Sequence, residues 1–234
     1  MKTINREWYW VWFILGLILI SINSCTKDVS NPPFMTDQDG NVYTSVIIGT
    51  QEWMVENLKS TKYNDGTPIP LVTGQAAWEN FTPSYCWYNN DPATYKAEYG
   101  AMYNWYAVDS ASNGGKNVCP IGWHVPSYTE WNILIAYLGG DSVAGGKLKE
   151  TGKTHWLSPN TGATNETGFT ALPGGLRMED GSFKDIGFKG YWWCDTDYTP
   201  LNAYFRDLLN SNGYAPDYGD LYKFDGLSVR CLRD

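Results

Sequence analysis

The 234 residues contain only two histidines, His124 and His155. No H-E-x-x-H pair and no C-x-x-C is present, so the usual zinc frameworks are missing. No G-x-S-x-G frames a serine, and a Ser-His-Asp site needs a base held beside a nucleophile. Basic residues are also scarce: 17 Lys and Arg stand against 25 Asp and Glu, a formal net charge of −8. A nucleic-acid binder carries a basic stripe or patch, and none is found, so no nucleic-acid partner is expected. The same acidity disfavours electrostatic docking on anionic lipid. No self-similar period of about 20–50 residues appears, which argues against a solenoid or propeller. No apolar run reaches the roughly 20 residues that a membrane-spanning helix needs.

Aromatic residues are abundant at 16%, with 12 Trp and 17 Tyr, beside 24 glycines and only 18% charged residues. Short apolar pieces alternate with Gly and Pro turns, as in GATNETGFTALPGGLR and GFKGYWWCDTD. That pattern predicts short strands, many loops and one or two short helices, an α+β domain with an irregular antiparallel sheet. One helix is well marked. Ser127-Tyr128-Thr129-Glu130 is a capping box. Trp131, Leu134, Ile135 and Leu138 follow on one face, and Gly139 fits the left-handed stop. The spacing predicts a helix from Tyr128 to Leu138. DQDGNVY followed by VYTSVIIGTQEWM predicts a hairpin of two or three strands. Asp37, Asp39 and Asn41 resemble the start of a calcium loop, but the glycine comes too early, at Gly40, and the closing glutamate is absent, so a turn is expected. Residues 57–110 read mostly as loop.

The start of the chain reads as an export signal. Lys2 and Arg6 precede an apolar stretch from Trp8 to Ile22, and Ile22-Asn23-Ser24-Cys25 resembles a bacterial lipobox. The expected organisation is a lipoprotein signal peptide over 1–24, a lipidated Cys25 and tether over 25–33, and one domain over 34–234. The expected location is the cell envelope, anchored in the outer membrane through acylated Cys25, with the lipid bilayer as partner. Export permits disulfides among the other four cysteines, Cys86, Cys119, Cys194 and Cys231, with three possible connectivities.

Several motifs in order carry a family resemblance: DGNVY, IGTQEWMVENL, YGAMYNWYAV, CPIGWHVPSYTEW, AGGKLKETG, NETGFTALPGGLR, GYWW and SVRCLRD. Together, over about Met35 to Asp234, they resemble the Fibrobacter succinogenes major paralogous domain. The resemblance implies an exported protein and a C-type-lectin-like fold, more distantly similar to formylglycine-generating enzymes. It also implies a Cys119–Cys231 bridge, with Cys86–Cys194 as a further candidate pair. The sugar-and-calcium motifs of C-type lectins, Glu-Pro-Asn and Trp-Asn-Asp, are missing. A copper-binding cysteine pair finds no place if Cys119 is bridged.

On these grounds no catalytic residue, metal or cofactor is expected. His124, between Trp123 and Val125-Pro126, reads as structural. The expected role is a non-catalytic binding module for glycan at the bacterial surface, with an accessory subunit of an outer-membrane or adhesion complex as the alternative. Sugar recognition combines flat aromatic faces with amides and carboxylates. CWYNND supplies that mixture, so the candidate ligand residues are Trp87, Tyr88, Asn89, Asn90 and Asp91. Trp193 and Asp195 join them if Cys86 and Cys194 are bridged. Trp105, Trp123, Trp131 and Trp192 are expected in the core.

Overall fold

The computed structural model describes residues 34–234; the expected signal peptide, the expected lipidated Cys25 and the expected tether lie outside the described residues. In chain order the elements begin with β1 (Met35–Thr36), β2 (Val42–Tyr43), β3 (Ser45–Ile48), β4 (Gln51–Met54), α1 (Gln75–Trp78) and β5 (Tyr85–Cys86). Next come α2 (Pro92–Tyr99), β6 (Met102–Tyr103), α3 (Trp105–Val108), β7 (Trp123–His124), α4 (Tyr128–Tyr137) and α5 (Asp141–Leu148). The last are β8 (Leu176–Arg177), β9 (Phe183–Lys184), β10 (Lys189–Asp197), β11 (Asn202–Leu209), β12 (Asp217–Tyr222) and β13 (Leu232–Arg233). The architecture is mixed, with several small antiparallel sheets and a few short helices. No helix among the described residues is long and apolar enough to cross a membrane.

The capping box forms as its spacing requires. Ser127 Oγ accepts the Glu130 N–H at 3.2 Å, and Glu130 accepts the Ser127 N–H at 2.8 Å. Leu138 closes α4, and Gly139 follows at φ +100°. The Asp37–Asn41 turn joins β1 to β2, and the Ile48–Gln51 turn joins β3 to β4. Asp37 is taken up by that turn: its carboxylate accepts the Asp39 and Asn41 N–H groups and the Tyr43 hydroxyl. Residues 57–110 hold more structure than a loop reading allows, because Asp91 and Asn104 cap two helices there with their side chains.

Two sheets organise the rest. One runs β3-β4-β13-β7, so the last strand is inserted between the first long hairpin and the strand that leads into α4. Cys119 and Cys231 form a disulfide across a separation of 112 residues, beside that insertion. The other sheet runs β10-β11-β12. On β10 adjacent side chains alternate between faces. Trp192 therefore enters a cluster with Trp53, Trp131, Trp156 and Phe169, while Trp193 enters one with Trp87, Tyr103, Trp105 and Trp123. The four tryptophans expected in the core are buried there.

Candidate ligand-binding site

The CWYNND run does not form an exposed aromatic surface. Trp87 is only 5% exposed and packs edge-on against Tyr85, ring centres 5.5 Å apart. Tyr88 is buried with Trp78, Cys86 and Met102, its ring against Tyr95 and Phe183. The polar residues after them belong to local turn chemistry. Asn89 and Asn90 are exposed in left-handed conformations, φ 52° and 55°. Asp91 caps α2 by accepting from Ala93 and Thr94. The polarity that suggested an open ring face is thus the chain turning over after a buried strand end.

Trp193 is fully buried, with its indole N–H donated to the Tyr103 carbonyl at 2.8 Å. The Cys86–Cys194 bridge is not formed. Cys86 lies in the small cluster with Trp78, whereas Cys194 lies in the cluster with Trp53 and Trp131. Burial pushes the Cys86 thiol up to about 11, so it stays protonated. Asp195 alone of the second group reaches a cleft. It borders a hollow of about 240 Å³ together with Asp109, Lys116, Asn117 and His124.

His124 is held at both nitrogens. Nδ1 contacts Asp234 at 2.7 Å and Nε2 contacts Glu130 at 3.0 Å. Burial works to lower its pKa, but the two carboxylates outweigh burial and the net shift is upward. With both nitrogens engaged, no lone pair is left open to take a proton from a substrate. Cys119 is in the disulfide, so a Cys119–His124 thiol pair does not exist. Among the described residues no group of three or more His, Cys, Asp or Glu is arranged to hold a metal ion.

The exposed rings gather elsewhere, where the β10–β11 turn meets the loop after β12. Tyr222 and Phe224 stack at 5.1 Å with their planes 10° apart. Phe81 stands edge-on to Phe224 at 6.0 Å and to Tyr106 at 5.8 Å. Phe81 is 58% and Tyr222 40% exposed, and Leu201 and Tyr198 beside them are also exposed. Asn202 links the two groups: it pairs with Tyr222 across the sheet, and its carbonyl accepts the Tyr198 N–H. Tyr198 in turn lies edge-on to Tyr204.

The ledge is anchored from beneath. Lys223, between the two stacked rings, turns inward; its ammonium sits 4.2 Å from the Trp105 ring centre and pairs with exposed Asp197. The Lys223 N–H donates to Leu201 and its carbonyl accepts from Trp105. The Trp78 indole donates to the Phe224 carbonyl. Asp225 accepts the Tyr222 N–H at 2.9 Å through Oδ2. Its Oδ1 has no donor among the described residues. Burial raises the Asp225 pKa to about 8, and the charge of neighbouring Glu179 adds to the shift.

A family model, the Fibrobacter succinogenes major domain, matches residues 46–233. The chain belongs to that family. No curated protein and no solved structure matches it. The matched span of the Fibrobacter succinogenes major domain includes the ledge, the disulfide, His124 and Glu130; Phe34 and β1–β2 precede it and Asp234 follows it. Sequence reading missed the ledge. Its signal is the alternation in Leu221-Tyr222-Lys223-Phe224-Asp225, in which rings and charges take opposite sides before a closing turn.

Proposed function

We propose that this chain is a cell-envelope lipoprotein whose domain is a non-catalytic glycan-binding module of C-type-lectin-like fold. The observation that carries the reading is the stacked Tyr222–Phe224 pair, with Tyr222 exposed and Phe224 half-buried, fixed from below and bordered by Asp197 and Asn202. Stacked aromatic faces suit the C–H surfaces of a sugar ring, and a carboxylate and an amide suit its hydroxyls. Because the loop is already hydrogen-bonded on several sides, little ordering would accompany binding, which favours affinity. The fold reading is supported by the disulfide that ties the approach to α4 to the last strand. The lipoprotein reading is supported by the sequence ending in Cys25.

The test is a glycan array probed with the detergent-solubilised full chain and with Tyr222→Ala. Truncating a stacked hot-spot ring costs about 2 kcal/mol or more in binding. Glycan binding lost with an unchanged melting temperature supports the module. Absence of glycan binding by the wild type, alongside capture of an envelope protein that Tyr222→Ala still captures, rejects it.

A further inference from the structure

The second exposed apolar feature lies where the domain's chain begins. Phe34 is 60% exposed and Ile121 is 76% exposed, and both rim one hollow of about 280 Å³. Met35, Val118 and Pro120 line it, with Lys62 at its edge. Ile121 sits at the tip of a stiff turn. Trp123 N–H donates to the Pro120 carbonyl, and Asp234 N–H donates to the Gly122 carbonyl. Asn117 holds the turn from both sides, accepting from Cys119 N–H and donating to the Trp123 carbonyl. The Cys119–Cys231 bridge fixes its base. An isoleucine mounted on so rigid a tip cannot fold back into the core, so its exposure is built in.

Chain length decides what meets this surface. Only residues 26–33 separate Cys25 from Phe34. Even fully extended, those residues span at most about 30 Å. A lipid anchor at Cys25 therefore keeps Phe34 close to the bilayer. Charge selects the kind of bilayer: Lys62, the basic residue lining the hollow, is already paired with Asp39 at 3.1 Å, and Asp37 lines the same hollow, so its lining offers no net positive charge to anionic headgroups. We infer that Phe34 and Ile121 form a membrane-seating edge that inserts its two apolar side chains into the interface of a zwitterionic bilayer, so that the anchored domain is held in a fixed orientation. The inference rests on the lipoprotein reading of Cys25.

Full-length acylated protein in phosphatidylcholine vesicles provides the test. A nitroxide is carried on a ketone-bearing non-natural residue placed at Ile121, and separately at Ile47, which is 73% exposed on the outer strand of its sheet. The expected result is a several-fold loss of collisions with a water-soluble nickel chelate at position 121 on vesicle anchoring, with none at 47. Equal chelate access at both positions in anchored protein overturns the seating edge and leaves the lipoprotein reading intact. Protein that stays unmodified at Cys25 and unanchored overturns both. A nitroxide at 121 that is already shielded in unanchored Cys25→Ala protein means that the chain itself or a second copy covers the edge, and this also overturns the inference.

Discussion

Replacing Asp225 with Asn should stabilise the protein near neutral pH and flatten its pH dependence. Asp225 is fully buried, and its pKa is raised from 3.8 to about 8 by burial and by the neighbouring Glu179 charge. Between those two values the folded state keeps a proton that the unfolded chain releases. The folded state thus binds more protons, and stability falls as pH rises through this window. At pH 7 the linkage amounts to about 4 kcal/mol relative to strongly acidic pH, at roughly 1.4 kcal/mol per unit. Asn keeps the acceptor for the Tyr222 N–H and adds a donor toward Glu179, while removing the ionisation. Urea unfolding of wild type and Asp225→Asn from about pH 4 to about pH 9, spanning both pKa values, gives the difference directly. Their stability gap should widen in favour of the variant with rising pH and level off above about pH 8. A gap that stays constant across that range refutes the account of Asp225 as a protonated carboxyl.

Trp87→Ala should lower stability by about 3–5 kcal/mol, because it empties a core site; calorimetry checks this, and an unchanged melting temperature would return Trp87 to the surface. Changing both Cys119 and Cys231 to Ala should cost roughly 5 kcal/mol, given the 112-residue separation and the loop-entropy relation. Denaturant midpoints of the oxidised wild type and the double variant measure it, and coincident midpoints would contradict it. His124 carries a pKa raised by Asp234 and Glu130 against the opposing effect of burial. Its contribution is present below the ordinary imidazole value and is lost as pH rises through the raised one. Wild type should therefore lose stability relative to His124→Gln over that interval, as read by thermal melts at stepped pH; an opposite slope would mean that burial dominates.

Local signals were legible where the chemistry is local. The capping box at Ser127–Glu130, the glycine stop at Gly139 and the Asp37–Asn41 turn each depend on a few adjacent residues, and each forms. The Cys119–Cys231 pairing came from the family resemblance, since four cysteines alone left three connectivities open. The binding surface was misplaced for a physical reason. In CWYNND the aromatic and polar residues are neighbours in sequence, but the strand ends at Cys86, and the rings turn inward while the amides make the turn. In Tyr222-Lys223-Phe224 the order is reversed: the charged residue is the buried one. Hydropathy cannot report that reversal, because it depends on Trp105, more than a hundred residues earlier, offering its face to the lysine.

The same inversion explains how so loop-rich a domain is held rigid. Loops leave carbonyls that no helix or sheet satisfies, and a buried carbonyl needs a donor. Here buried cations supply the donors. Lys149 donates to the carbonyls of Thr161, Leu209 and Asn212 at 2.7–2.9 Å. Arg177 donates to Val72 and Thr73 while stacked 4.2 Å from the Trp78 ring centre. Arg230 donates to Phe169 and Asn57 and lies 4.1 Å from the Phe169 ring. Desolvation lowers the pKa of Lys149 to about 8 and that of Arg230 to about 9. Carbonyl dipoles and ring faces, rather than carboxylates, supply most of the compensation, which accounts for a composition rich in Trp and poor in charge. Lys223 keeps the ring half of this arrangement under the ledge, with Trp105 as its ring and the Asp197 carboxylate in place of the carbonyls. A segment that buries its cation presents its flanking rings outward, so the device that stiffens the loops also sets Tyr222 and Phe224 at the surface in one fixed stack.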